Sequence, residues 1–189
     1  MKQTVLDTIA LHKKLLADFE AGGVENVIAA AEMIIETFKN GGRLYLCGNG
    51  GSASDAQHVA GEFVGRFKKE RKPLPAVALT ADTAVLTCVG NDYGFKEVFA
   101  RQVEALMTEK DVLWAFSTSG TSANIIAAAQ AANAKKAKVL AFTGKPKNAL
   151  ESMADVCVCI SAPTSGPAQE IHQLAYHIIC DLVEQKLFG

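Results

Sequence analysis

Residues 44–54 read Leu-Tyr-Leu-Cys-Gly-Asn-Gly-Gly-Ser-Ala-Ser, which is a short apolar run, a glycine-rich loop and the start of a helical stretch. A continuous apolar run is typical of a parallel strand that is covered on both faces. Glycines let the backbone approach a ligand closely, and the free N–H groups at a helix start favour an anion. This stretch therefore predicts a strand, a ligand-binding loop and a helix in direct succession.

Further apolar runs follow along the chain, and each is continuous rather than alternating. They are Ala76–Leu79, Val112–Phe116, Val139–Phe142 and Val156–Ile160. Between runs lie segments long enough for crossover helices, namely Ser52–Phe67, Phe95–Met107 and Ala123–Lys136. This alternation predicts an α/β fold, a three-layer doubly wound parallel five-stranded sheet. We expect residues 1–189 to form a single domain, because the chain has the length of one domain and shows no linker or internal repeat.

Two amphipathic stretches precede the first strand, within residues 1–40. They cover Val5–Phe19 and Val24–Phe38, and Asn40-Gly41-Gly42 closes the second as a helix stop. These two additional N-terminal helices have no predicted strand of their own to cover. We expect them to take part in oligomerisation, while packing within the domain remains an open alternative.

The composition argues against several classes of partner. Lys and Arg number 19 and Asp and Glu 20, so the net charge of -1 provides no basic field for nucleic acid or anionic lipid. No apolar stretch approaches the roughly 18 residues of a membrane span, and the first residues lack a signal-peptide core, so we expect a cytoplasmic protein. The five cysteines include no CxxC pair and predict reduced core residues rather than a zinc-cysteine site.

A second ligand-binding loop is predicted at the end of the third strand. The sequence Ser117-Thr118-Ser119-Gly120-Thr121-Ser122 leads into an alanine-rich helix. Clustered hydroxyl groups and the N–H groups of a helix start suit phosphate oxygens without any lysine. A single hydroxyl would suffice for a helix cap, so the clustering favours anion binding. In open α/β sheets the ligand crevice lies beyond the carboxyl ends of the strands, where both loops are expected.

Two helices carry candidate catalytic groups. His58 and Glu62 are spaced i, i+4 in the helix after the glycine loop, so they project from one face. In the last helix, Gln169 and His177 belong to one i, i+4 stripe, about 12 Å apart along the axis. Spacing alone does not decide between His172 and His177 as the functional histidine.

An alternative interpretation rests on Gly48-x-Gly50-x-x-Ala53, which fits a dinucleotide fingerprint and would indicate a nicotinamide-dependent oxidoreductase. Asp82, just after the second predicted strand, is a conceivable ribose ligand. It lies further along the chain than the usual interval of about 20 residues, and the serine cluster favours a phosphate instead.

The motifs together resemble those of bacterial phosphoheptose isomerases, which are sugar isomerase (SIS) domain proteins with a flavodoxin-like sheet. The motifs that carry the resemblance are Gly48–Ala53, Asp55–His58, Glu62, Gly90–Phe95, Ser117–Gly120 and Gln169–His172. The resemblance implies a homotetrameric aldose–ketose isomerase that converts sedoheptulose 7-phosphate to D-glycero-D-manno-heptose 7-phosphate through an enediol. The product would supply heptose for lipopolysaccharide or other surface glycans.

The resemblance also implies a role for individual residues. Glu62 and His177 would be the acid–base pair, which selects His177 over His172. The implied ligands of a zinc ion are His58, Glu62, Gln169 and His177. The implied sugar-phosphate ligands are Asn49, Gly50, Gly51, Ser52, His58, Glu62, Asn91, Asp92, Ser117, Thr118, Ser119, Ser122 and Gln169.

The approach to the last helix departs from the family pattern. Many members read Asp-Thr-Ala-Arg-Ile-Gln there, whereas residues 164–169 of this chain read Thr-Ser-Gly-Pro-Ala-Gln, without a carboxylate or guanidinium. Isomerisation of another sugar phosphate therefore stays an alternative. A further alternative is a non-catalytic SIS-domain binding protein of the replication-initiator-associating type, against which the presence of Glu62 and His177 argues.

Overall fold

The computed structural model describes all 189 residues, as seven α-helices and five β-strands. The helices are α1 (Lys2–Gly22), α2 (Val24–Lys39), α3 (Gly51–Val64), α4 (Thr83–Tyr93), α5 (Ala100–Leu106), α6 (Ala123–Ala134) and α7 (Ser165–Phe188). The strands are β1 (Leu44–Cys47), β2 (Ala76–Ala78), β3 (Val112–Ser117), β4 (Lys138–Thr143) and β5 (Val156–Cys159). Every predicted strand is present, displaced by at most one residue at either end.

The five strands form one parallel sheet in the order β2-β1-β3-β4-β5. In its register, Leu44 of β1 lies opposite Ala76 of β2 on one side and Val112 of β3 on the other. The chain winds in one direction from β1 to β2 and in the other from β3 to β5. The predicted doubly wound topology is confirmed, and its switch point, where ligands bind in such folds, lies between the carboxyl ends of β1 and β3.

Alternate side chains of the strands build two separate cores, one on each face of the sheet. Trp114, Phe116 and Phe142 pack against α2, α3 and α7 on the first face. Tyr45 and Leu113 lie on the second face with α5 and α6. Because both faces are covered, the strands read as continuous apolar runs, as the sequence indicated. The three-layer α/β prediction is confirmed.

The two N-terminal helices differ in how they pack. Helix α2 buries Val27, Ala31 and Ile34 in the same core as α7, so it belongs to the layer that covers the sheet. Helix α1 buries only Leu15. Packing within the domain, the alternative that the sequence left open, is therefore observed for α2, whose apolar face fills the space beside β5. A role of these helices in oligomerisation stays a prediction. None of the helices is long and apolar enough to span a membrane.

Helix α4 was not predicted from the sequence. It buries a single side chain, Val89, so it lacks the apolar periodicity that marks a helix. Its start is nevertheless defined, because the Asp82 carboxylate accepts a hydrogen bond from the Val85 N–H at 3.0 Å. Asp82 is thus a helix cap, which removes the support it gave to dinucleotide binding. The predicted helix Phe95–Met107 is a short 3-10 turn followed by α5.

Candidate functional site

A polar cavity of about 320 Å³ lies at the switch point of the sheet. Residues from the loop after β1, the loop after β3 and the start of α7 surround it: Asn49, Gly51, Ser52, Phe116, Ser117, Thr118, Ser122, Ser165 and Gln169. Seven of the predicted sugar-phosphate ligands, Gln169 among them, therefore meet at one opening. Their convergence follows from the topology, because the carboxyl ends of β1 and β3 are neighbours.

The loop after β1 is held in a tight turn. Gly50 has a φ of +56°, which favours glycine, and a Cβ atom on Gly48 would lie 2.3 Å from the Ser52 carbonyl oxygen. The amide side chains of Asn49 and Asn124 exchange two hydrogen bonds, at 2.9 and 2.8 Å. These constraints keep the N–H groups at the start of α3 at the cavity.

The loop after β3 presents a connected set of hydroxyl groups. The Ser117 hydroxyl lies 3.1 Å from that of Ser122 and 3.4 Å from that of Ser119. Ser122 is the N-cap residue of α6, yet its hydroxyl makes no capping bond. Helix capping therefore does not account for the Ser122 hydroxyl, which lies near the hydroxyls of Ser117 and Ser119 instead. Thr118 reaches across to Ser165 of α7, with 2.9 Å between the hydroxyl oxygens.

A second cluster combines two histidines and a carboxylate. The Nε2 atom of His58 lies 2.9 Å from the Glu62 carboxylate and 3.4 Å from Nε2 of His177. The three candidate ligand atoms all lie within 4.8 Å of one another. Two imidazoles and a carboxylate in this arrangement match the donor set of a zinc site with an open position. The structure thus brings together the residues that the resemblance named as the acid–base pair.

Tyr176 orients this cluster, although the sequence analysis did not single it out. Its hydroxyl lies 3.1 Å from Nδ1 of His58, on the opposite side of the ring from Glu62. A hydrogen bond to the second ring nitrogen fixes the orientation and tautomer of a histidine. The sequence signal was slight, since Tyr176 precedes His177 and is otherwise a buried core residue.

The environment of His177 lowers the pKa of its imidazole. Partial burial is the largest cause, followed by the neighbouring His58, while Glu62 acts in the opposite direction. A neutral imidazole can accept a proton or bind a metal ion. His177 is therefore prepared for either role at neutral pH.

Gln169 contacts the glycine loop. Its amide group donates a hydrogen bond to the Ser52 hydroxyl at 3.1 Å. A Cβ atom on Gly51 would come within 2.7 Å of the Gln169 amide oxygen, so a larger residue there would displace the Gln169 side chain. Gln169 is thus seen beside the sugar-phosphate cavity, and its predicted role as a metal ligand stays a prediction.

Asn91 and Asp92 do not line the cavity within the single chain. They are exposed at the end of α4, where the Asn91 amide donates a hydrogen bond to the Asp92 carboxylate at 2.7 Å. Their role as sugar-phosphate ligands stays a prediction, and it would require a partner subunit or a movement of α4.

His172 is a core residue, which answers the question that spacing left open. It is 0 % exposed, and its Nε2 atom lies 3.0 Å from the Thr143 carbonyl oxygen. Burial lowers the pKa of His172 to about 4, although the bond to Thr143 opposes this effect. A neutral, enclosed imidazole has no access to substrate, which argues against His172. The catalytic role of His177 stays a prediction.

Buried His172 is expected to make the protein less stable in mild acid. Its pKa is about 4 when folded, against an ordinary value of 6.5. Between these values the unfolded chain binds more protons, so the free energy of unfolding falls as the pH falls from 6.5 towards 4. The loss at this single site is on the order of 3 kcal/mol.

Urea denaturation at pH 7 and pH 5 measures this effect. His172→Gln keeps a donor for Thr143 but does not titrate, so its stability is expected to change less between the two pH values. An equal pH dependence in the variant and the original protein would contradict the assignment.

The chain is similar to known proteins over most of its length. The sequence model of the SIS domain family matches residues 9–144. A phosphoheptose isomerase from Roseiflexus sp. (strain RS-1) is 49% identical over 162 residues, which are 86% of this chain and 82% of the relative. One from Geobacter metallireducens is 43% identical over 188 residues and covers 100% of both chains.

Solved structures agree with the sequence comparison. The structure of the phosphoheptose isomerase from Neisseria gonorrhoeae has a TM-score of 0.92 and 40% sequence identity, and the match covers 97% of this chain and 98% of that one. The fold, the cavity at the switch point and the likeness in sequence all lead to one assignment: the chain belongs to the SIS domain family and, within it, to the phosphoheptose isomerases.

Proposed function

We propose that this protein is an aldose–ketose isomerase that converts sedoheptulose 7-phosphate to D-glycero-D-manno-heptose 7-phosphate. The product would enter the synthesis of heptose-containing lipopolysaccharide or other surface glycans. The observation that carries the proposal is the His58–Glu62–His177 cluster, in which a carboxylate and an imidazole lie within reach of one small molecule. The relatives named as phosphoheptose isomerases support the choice of substrate.

The reaction requires a proton to move between two adjacent carbon atoms. Glu62 acts as the base that removes the proton from one carbon and returns it to the next. His177 exchanges protons with the two oxygen atoms, which its lowered pKa favours because the ring is neutral at pH 7. General acid–base assistance of this kind contributes typically about 10²- to 10⁴-fold to a rate.

The hydroxyl-rich cavity serves as the phosphate site in this proposal. Ser117, Ser119 and Ser122, with the N–H groups at the starts of α3 and α6, offer donors for the phosphate oxygens. A phosphate that is held away from the reacting carbons orients them by its binding energy. Gln169 of α7 and Ser52 of α3 also line this cavity and are joined by a hydrogen bond.

A zinc ion fits the donor set of the histidine cluster. His58, Glu62 and His177 would hold it, with Gln169 as the predicted further ligand. When bound, a zinc ion polarises the substrate carbonyl and stabilises negative charge on its oxygen. Glu62 would then have two roles, as one of the residues that hold the ion and as the base that moves the proton.

Proton NMR of sedoheptulose 7-phosphate with the purified protein, with and without a chelator, tests substrate and metal together. We expect new aldose resonances, and a lower rate after chelation that added zinc restores. Turnover of a different sugar phosphate in place of this one would correct the substrate. A complete lack of turnover on sugar phosphates, in a protein that still binds another macromolecule, would instead support a non-catalytic SIS-domain function.

We further propose that the protein is a homotetramer. Val5, Leu6 and Ile9 of α1 are all exposed within the single chain, as are Tyr93 and Phe95 around the end of α4. Exposed apolar groups of this kind mark interaction surfaces. Sedimentation of the purified protein is expected to give the mass of four chains, and a monomer at micromolar concentration would contradict the proposal.

A further inference from the structure

A buried ion pair connects the ends of the two catalytic helices. Arg71 belongs to residues 65–72, which follow α3 and are here called the 65–72 loop. Glu184 belongs to α7. Their side chains meet with 3.1 Å between Nε and Oε1, and each side chain is only 2% exposed. Removing two charges from water costs several kcal/mol per ion. A pair in this position therefore needs a compensating set of hydrogen bonds, and the structure contains one.

The guanidinium of Arg71 closes the carboxyl end of α3. Nη2 donates to the carbonyl oxygen of Glu62 at 2.7 Å, and Nη1 donates to the carbonyl oxygens of Phe63 at 2.7 Å and Gly65 at 3.0 Å. The last carbonyl groups of a helix lack partners within the helix, and a cation there is stabilised by the helix dipole. The backbone of Glu62 itself is thus fixed by this side chain.

The carboxylate of Glu184 holds the 65–72 loop against α7. It accepts hydrogen bonds from the backbone N–H groups of Phe67, Lys68 and Lys69 at 3.2, 2.7 and 2.8 Å. Burial acts to raise the pKa of Glu184, but these donors and Arg71 outweigh it, so its pKa is lowered. The carboxylate stays ionised, as the buried cation requires.

The same loop contacts the second catalytic residue. The Phe67 ring packs against the His177 imidazole with 5.4 Å between the ring centroids and an angle of 32° between the planes. The backbone N–H of Phe67 is one of the donors to Glu184. One ion pair is therefore connected to Glu62 through a carbonyl group and to His177 through an aromatic contact.

We propose that Arg71 and Glu184 are positioning residues for the isomerase, which set the placement of Glu62 relative to His177. This inference rests on the proposed function, because it assigns both residues a part in the same reaction. Neither side chain lines the cavity or belongs to the histidine cluster, so they act through the two groups that do. Burial of the pair by itself is weak evidence for stability, since apolar replacements are often as stable.

Glu184→Gln is the principal test, with kcat and KM measured on sedoheptulose 7-phosphate. The variant keeps the volume of the side chain but leaves Arg71 without its counter-charge and places an amide group among backbone donors. We expect kcat to fall at least about tenfold, because misplacement of a catalytic group by about 1 Å can cost on the order of 10²-fold. KM is expected to change less than threefold, since the serine loop is separate from the ion pair.

A spectroscopic measurement follows the geometry without reference to turnover. The protein has four histidines, so the ring C–H resonances of His177 can be assigned in a ¹H–¹³C spectrum of histidine-labelled protein. The Phe67 ring shifts these resonances, and Glu184→Gln is expected to move them. If the original protein fails to isomerise the sugar phosphate, the proposed function fails, while this spectrum still tests whether the ion pair sets the position of His177.

Lys69→Ala is the matched control. It removes an exposed side chain from the same loop and leaves the backbone N–H that donates to Glu184 at 2.8 Å in place. We expect unchanged kcat and unchanged His177 resonances. Arg71→Lys is the second variant, which keeps the charge but loses the planar set of donors to the α3 carbonyl groups. If Glu184→Gln does not fold, kcat and the His177 resonances of Arg71→Lys test the proposal in its place.

The proposal is wrong if folded Glu184→Gln or, failing that, folded Arg71→Lys keeps kcat within twofold of the original and leaves the His177 resonances in place. It is also wrong if kcat falls only in proportion to the folded fraction, measured by circular dichroism under the assay conditions. That second result would assign the pair a role in stability alone.

Discussion

Glu62→Gln is expected to lower the kcat for sedoheptulose 7-phosphate by about 10²- to 10⁴-fold, which is the usual contribution of a general base. The amide keeps the shape of the side chain but does not accept the proton that leaves the substrate carbon. Exchange of the substrate C2 proton with deuterated solvent, followed by NMR, should be lost together with turnover. Binding of the sugar phosphate, measured by calorimetry, should remain, because the hydroxyl-lined cavity is unchanged.

Glu70→Gln provides the control for this substitution. Its side chain is 94% exposed, and its contact with Arg66 at 3.7 Å is an open surface pair. Such pairs contribute little, so kinetics and stability should stay as they are. Retained C2 proton exchange in Glu62→Gln would show that Glu62 is not the base.

Gly48→Ala is expected to raise KM at least about tenfold and to lower the free energy of unfolding by roughly 1–3 kcal/mol, as forced repacking of a buried site commonly does. A Cβ atom at this position would lie 2.3 Å from the Ser52 carbonyl oxygen and 2.5 Å from its carbon. Both atoms belong to the backbone, so the glycine loop and the first turn of α3 have to move. Steady-state kinetics and urea denaturation measure the two effects.

Gly61→Ala is a matched glycine substitution in the same βα unit. Nothing lies within 4 Å of a Cβ atom there, and the position is within helix α3. Alanine favours a helix by up to about 1 kcal/mol over glycine, so the variant should be unchanged or slightly more stable. If Gly48→Ala behaves in the same way, close packing of the glycine loop does not define the phosphate site.

The strands were predictable because burial on both faces imposes a plain pattern on them. Val112–Phe116 and Val139–Phe142 are enclosed between two helical layers, and each is a continuous apolar run in the sequence. Helix α4 was not predicted because only Val89 is buried, so its sequence shows no apolar periodicity. The packing of α2 stayed open because the sequence does not show which surface an amphipathic helix will meet.

The site was predictable in parts, since its two loops and its helix pairs are each local in sequence. The glycine loop and the serine loop follow neighbouring strands, and the sheet topology places their ends together. Ser165 and Tyr176 were missed because a lone hydroxyl on a helix carries no local signal. Their significance comes from Thr118 and His58, which lie 47 and 118 residues away along the chain.

The sequence by itself determined the α/β class and the strand positions, because these depend on short-range patterns of burial. It also placed the glycine loop and the serine loop after the first and third strands, while the predicted acid–base pair came only from the resemblance to a family. Only the tertiary structure decided that His172 is enclosed while His177 meets Glu62, and that Arg71 and Glu184 join the ends of α3 and α7. Those outcomes depend on which faces of α3 and α7 meet where the two helices pack side by side on one face of the sheet. The free energy of that packing is shared among residues far apart in the chain, so no local stretch of sequence contains it.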